Sequence, residues 1–120
     1  MEPLANSIPN AATNAQSTPL QRAMIRELLS NQNPASYVKH CRAIIHMQEP
    51  PGGFAAVKAP VLILAGEEDK SAPMEGCEYI HKHLGSPSKE LVVMPAVGHW
   101  HSIEAGEQVA SQISRFCSSL

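Results

Sequence analysis

Two polar stretches, each directly after an apolar run, hold the residues best suited to moving a proton: "GEEDKSAP" at 66–73 and "AVGHWHSIE" at 96–104. Asp69 lies in the first and His99 in the second. Histidine is the side chain that gains and loses a proton near neutral pH. A carboxylate held against one ring nitrogen leaves the other as a base and stabilises the imidazolium formed during proton transfer. Neighbouring parallel strands lie about 4.8 Å apart, so two loops leaving the same sheet edge can bring such a pair within hydrogen-bond range. The plainer reading makes Asp69 the cap of a helix starting near Pro73 and His99 an ordinary loop histidine, and spacing alone leaves both readings open.

The elements that must position these residues are legible in the second half of the chain. "PVLILAG" at 60–66 and "LVVMP" at 91–95 are continuous apolar runs without polar alternation, which predicts strands buried on both faces. Between them, Met74, Cys77, Ile80 and Leu84 share one side of a helix over 73–84, with Gly85 and Pro87 as its stop. A closing helix from Glu104 to about Ser118 carries Val109, Ile113, Phe116 and Leu120 along one stripe. Strand, helix, strand and helix at these lengths make a parallel pair with a right-handed crossover. In such sheets functional groups gather outside the carboxyl ends of the strands, where both polar stretches fall.

The first half reads as helical. Residues 1–18, rich in Ala, Asn, Ser, Thr and Pro, lack large apolar periodicity and are expected to be an irregular arm. Thr18-Pro19 and Asn33-Pro34 are each an N-cap followed by a proline at the first helical position. Leu20, Met24 and Leu28, with Ile25 and Leu29 beside them, predict a helix to about Ser30; Tyr37, Val38, Cys41, Ile44 and Ile45 predict a second to about Met47. "PPGG" at 50–53 marks a boundary. The chain thus divides into an arm (1–18), a helical segment (19–53) and a βαβα unit (54–120), an α/β fold with two parallel strands.

Composition excludes several functions. At 120 residues, 17% charged and net charge −2, the chain offers no electrostatic basis for binding nucleic acid or an anionic membrane surface. Aromatic residues make up 4%, too few for a base-stacking surface. The apolar runs are far shorter than the ~20 residues of a membrane helix, and the N-terminus lacks the charged and apolar regions of a secretory signal. Cys41, Cys77 and Cys117 are odd in number and widely spaced, which suits reduced thiols and a cytoplasmic location.

Metal binding has little support. His81 and His83 on a helix point about 200° apart, and His99 with His101 would lack a convergent third ligand. His40 and His46 fall on or near the second helix, exposed or packing. Cys41 lies on an apolar stripe and reads as core rather than as a thiol nucleophile. No metal or organic cofactor is expected.

Residues 58–120 resemble the C-terminal part of the α/β-hydrolase fold superfamily. "PVLILAGEEDKSAP" matches its P-x-L-x-x-x-G-x-x-D-x-x-x-P acid pattern, and "GHWHSIE" matches the Gly-His that follows the last strand, with an aromatic next and a Glu a few residues on. Val109, Ile113 and Phe116 match the V-x-x-x-I-x-x-F of the final helix. The stretch "IRELLSNQNPASYVKHCRAI" is similar to the cap region of members like 3-oxoadipate enol-lactonase. The resemblance implies Asp69 as the triad acid, His99 as the general base, and an ester or lactone as the small-molecule substrate. Glu67 and Glu68 lie outside the acid position, although either could substitute if the loop turned differently. Trp100 would border the substrate pocket, or serve equally to shield the histidine from water.

The nucleophile does not match. The family's G-x-S-x-G elbow, a strained turn between strand and helix, occurs nowhere in the chain, and Ser7, Ser17, Ser30 and Ser36 follow no apolar strand. Family order is nucleophile, acid, histidine, so the resemblance implies an elbow before Met1, and the chain is expected to be the last part of a hydrolase and inactive alone. Haloalkane dehalogenases and epoxide hydrolases share the C-terminal pattern with an aspartate nucleophile, so the elbow also decides the reaction. Two strands are marginal by themselves and their open edges invite association, so poor autonomous stability, self-association or pairing with a complementary fragment is expected. The alternatives are a short non-catalytic protein that binds a partner through its strand edge or cap helices, and a truncated reading frame without function.

Overall fold

In the computed structural model, which covers residues 1–120, the chain begins in a helix where an arm was expected. Helix α1 spans Glu2–Ala11. Its packing face is made of small residues, Ala5, Pro9 and Ala12, all buried, so the helix carries no large apolar stripe for a sequence pattern to reveal. Small side chains let α1 approach the next helix, α2 (Pro19–Ser30), closely. Ala5 joins Ile25 and Leu29 in the small core of this helix pair, with Ile8, Tyr37, Trp100 and Ile103 packed around it. Arg26 on α2 pairs with Glu2 and donates to Asn6 Oδ1 at 3.1 Å, closing the outer side.

The start signals at α2 and α3 (Pro34–Ile45) form as the sequence dictates. Thr18 Oγ1 accepts from Gln21 N at 3.2 Å while Gln21 Oε1 accepts from Thr18 N at 2.7 Å, a reciprocal capping box. Asn33 Oδ1 accepts from Ser36 N at 3.1 Å. The apolar stripe of α2 is rotated from the expected one. Ile25 and Leu29 are buried, whereas Leu20, Met24 and Leu28 face outward, because α1 covers only one side of the helix. Cys41 is half-buried rather than core.

After a single 3-10 turn at Phe54–Ala56, strand β1 (Val61–Gly66), helix α4 (Met74–His83) and strand β2 (Lys89–Met94) form the βαβ unit. The strands are parallel, in register from Val61 opposite Lys89 to Gly66 opposite Met94. Full burial on both faces is not realised. Only Ala65, Gly66 and Met94 are buried, and the other residues of both strands are half-buried except Val93, which is 46% exposed, since the sheet has two strands and neither outer edge has a partner. What is buried is the carboxyl end, where the loops fold over it. The closing helix expected from Glu104 forms as α6 (Gly106–Ser118), preceded by a separate short turn, α5 (His101–Glu104). Phe116 is buried on α6, and Arg115 donates to Glu90 on β2 at 2.5 Å. No helix is long and apolar enough to cross a membrane.

Candidate functional site

Both strands deliver their loops to the same edge. After β1 the backbone turns back on itself, Asp69 N donating to Gly66 O at 3.2 Å and Glu68 N to Val97 O at 2.9 Å. The turn is tight enough that a Cβ on Gly66 would lie 2.5 Å from the carbonyl oxygens of Val97 and Gly98, so only glycine fits there. The result buries Asp69, whose side chain is 2% exposed, directly beneath the β2 loop.

Asp69 and His99 meet. Because an ionised carboxylate only accepts, Nδ1–H of His99 donates to it, at 2.9 Å from Oδ2 and 3.1 Å from Oδ1. Asp69 Oδ1 also accepts the amides of Ser71 at 2.8 Å and Ala72 at 2.9 Å. Burial by itself disfavours the charge, but the bond from His99, the two amides and the attraction of the imidazole outweigh it and hold the carboxyl below its ordinary range. Asp69 therefore does make local turn bonds, yet it does not cap α4, whose N-cap is Pro73 with no side-chain cap bond. With Nδ1 committed, Nε2 is the basic nitrogen of His99, on a side chain 44% exposed.

Glu67 and Glu68 do not take the acid position. Both are exposed, and Glu67 Oε2 instead accepts from Ala96 N at 3.2 Å, bridging the two loops. His101 has its Nε2 buried beside Gly66 without a hydrogen-bond partner. No three His, Cys, Asp or Glu side chains converge.

His99 opens onto an apolar cleft of about 370 Å³, walled by Ile8, Ala12, Leu29, Tyr37 and Trp100 and edged by Ser71. A second cleft of about 360 Å³ continues beyond Tyr37 and Trp100 to Leu28, Cys41 and Ile44 on α2 and α3. Trp100 lines both and stands nearly perpendicular to the His99 ring, at 86°. The helices α1 to α3 thus roof the pair with an apolar channel.

Sequence reasoning missed the residues that hold the His99 loop from the other side. Asn14 and Ser17, in the stretch read as an irregular arm, are buried. Asn14 Nδ2 donates to Ala96 O, and Arg22 Nη2 anchors Asn14 O at 2.9 Å. Ala12 O accepts the amide of His99 itself at 2.8 Å. The one signal available was Thr13, Asn14, Ser17 and Thr18 within six residues, types that bind backbone in turns.

A parallel strand pair carrying a buried aspartate bonded to a histidine outside its carboxyl ends, roofed by helices over an apolar cleft, is an arrangement of the α/β-hydrolase superfamily. Within that class the chain belongs to the family described as TAP-like protein, which matches residues 26–119. No curated protein matches it significantly. Solved structures share the fold. An enol-lactonase from Burkholderia xenovorans LB400 is 20% identical with a TM-score of 0.85 over 98% of this chain and 45% of its own. A thermophilic esterase from Thermogutta terrifontis, with malate bound, is 20% identical with a TM-score of 0.84 over 97% and 43%. A serine hydrolase involved in carbazole degradation is 21% identical with a TM-score of 0.79 over 100% and 48%. The chain therefore spans less than half the length of each of these structures.

Proposed function

We propose that these residues form the acid-and-base part of an esterase or lactonase. His99 Nε2 takes the proton from a serine hydroxyl as it attacks the carbonyl carbon of an ester or lactone, then gives it to the leaving oxygen; in the second half-reaction it takes a proton from the attacking water and returns it to the serine oxygen as the acid is released. Asp69 keeps Nδ1 protonated and stabilises the imidazolium in between. The observation that carries this reading is the 2.9 Å bond between a buried carboxylate and a histidine opening on an apolar cleft. The esterase and lactonase names of the structural relatives agree with it, and a lactone such as an enol-lactone is the substrate class we favour. Helices α2 and α3 act as the cap over the acyl or ring portion, with Trp100 as part of the wall. The serine is not supplied by any G-x-S-x-G within residues 1–120, so the 120-residue chain is inactive alone and works with a nucleophile-bearing segment.

The test has two arms. A serine-directed fluorophosphonate should leave the 120-residue chain unlabelled; stoichiometric labelling would refute the absence of a nucleophile. Joined to an N-terminal α/β-hydrolase half carrying the elbow, the chain should hydrolyse p-nitrophenyl esters and lactones. There His99→Gln and Asp69→Asn should each lower kcat by roughly 10⁴, and full activity in either variant would end the assignment.

A further inference from the structure

Glu104 stands five residues beyond the bonded pair's histidine, at the end of α5, and its carboxylate gathers donors from two loops. Oε2 accepts from Asn14 N at 2.8 Å, Ser17 Oγ at 3.0 Å and Gly98 N at 3.1 Å, and Oε1 accepts from Trp100 N at 2.9 Å. Gly98 and Trp100 flank His99, whose own amide goes to Ala12 O at 2.8 Å. Three successive amides, 98 to 100, are thereby fixed, two of them by one carboxylate and the third by the end of α1. Bonds to an ionised acceptor are shorter and stronger than neutral ones, and these replace the hydrogen bonds that a loop would otherwise make to water.

The loop needs such a hold. Ala96, two residues before Gly98, has φ 55°, a left-handed conformation that a residue with a Cβ adopts only when its surroundings enforce it. Space at Gly98 is tight as well, since a Cβ there would lie 2.9 Å from Ala12 O and Asn14 N and 3.0 Å from Glu104 Oε1. Residues 14 and 17 and residues 98 and 100 therefore converge on the one Glu104 carboxylate.

We propose that Glu104 is the positioning residue for His99, setting the imidazole against Asp69 by holding the amides on either side of it and tying them to the α1–α2 corner. The proposal rests on the reading of Asp69 and His99 as a working pair. Its consequence is that the wall of the cleft and the base share one anchor. Displacing the corner at Asn14 and Ser17 displaces the flanks of His99.

The experiment uses the 120-residue chain labelled with [15N]histidine, with the His99 signals assigned from His99→Gln. Unsubstituted chain should show His99 in the Nδ1–H form with a slowly exchanging, low-field Nδ1 proton, a signal that Asp69→Asn abolishes. Glu104→Ala should abolish it too while the amide signals of β1 and β2 persist, and Glu104→Gln, which keeps shape but turns one oxygen into a donor, should weaken it. Gly98→Ala, whose Cβ would press on Ala12 O, Asn14 N and Glu104 Oε1 while keeping the carboxylate itself, should act in the same direction. Should Glu104→Ala not fold, Glu104→Gln and Gly98→Ala decide by the same signal. A His99 signal unchanged in the folded variants overturns the positioning role and leaves the pair intact, whereas no such signal in the unsubstituted chain overturns the pairing itself.

Discussion

At Asp69, burial and hydrogen bonding oppose one another. A carboxylate with a side chain 2% exposed would be driven to protonate, but the imidazole and the amides of Ser71 and Ala72 reverse the balance and lower its pKa from the ordinary 3.8. The folded chain therefore releases this proton more readily than the unfolded chain, and the linked stabilisation is present in full above pH 3.8 and lost as pH falls through the folded-state value. Asp69→Asn removes that linkage. Its urea-unfolding midpoint should be lower than that of the unsubstituted chain at pH 6 and should converge with it as the pH is taken below 3.8. Parallel pH profiles for the two proteins would show that the pair contributes nothing to the acid limb.

Among the elements, α2 does more than its length requires. Thr18 and Gln21 close the capping box, and the same Gln21 side chain extends across to α5, Nε2 donating to Ile103 O at 2.8 Å and Glu104 O at 3.2 Å. The start of α2 is thus bonded to the element that carries Glu104. Thr18→Ala removes only the hydroxyl that accepts from Gln21 N, leaving the Gln21 side chain on the backbone amide of residue 18 and on α5, and should cost about 1 kcal/mol in urea unfolding; a value near zero would mean that the helix start is held by the remaining Gln21 bonds and packing with α1. Thr18-Pro19 was readable in the sequence because a cap is a local, two-residue signal. So were Asp69 and His99, which follow buried strand ends in chain order. Helix α1 was not, since Ala5, Pro9 and Ala12 pack by being small and leave no apolar period. Nor was the anchoring by Asn14 and Ser17, whose bonds to Ala96 and Glu104 span more than eighty residues of sequence. The division of α2 into buried Ile25 and Leu29 and exposed Leu20, Met24 and Leu28 likewise depends on which side α1 occupies.

Over the whole molecule the chain buries little. Sixteen of 120 residues are buried, and the radius of gyration is 16.0 Å against roughly 13–14 Å for a compact domain of this length. Two bodies account for it: the α1–α2 pair with its three-residue core, and the two-stranded sheet with α4 and α6. The bonds around Glu104 and Asn14 join them. Large apolar side chains stand in water on α2 and α3, with Leu20 80%, Ile44 67% and Ile45 75% exposed, and Met47 just beyond α3 is 76% exposed. Clustered exposed apolar residues mark surfaces that associate, and unpaired strand edges do the same. The purified chain should therefore melt broadly, and its apparent mass in sedimentation velocity should rise with concentration. Replacing Leu20 and Ile45 together by Lys should lower that association at unchanged helix content, because neither side chain contributes to the α1–α2 core. If association comes from the sheet edges instead, the double variant will associate as strongly as the unsubstituted chain, and Leu64→Pro, which breaks β1, will be the change that abolishes it. A sharp two-state transition with a monomeric mass at all concentrations would overturn both accounts and make the open surface compatible with an autonomous fold.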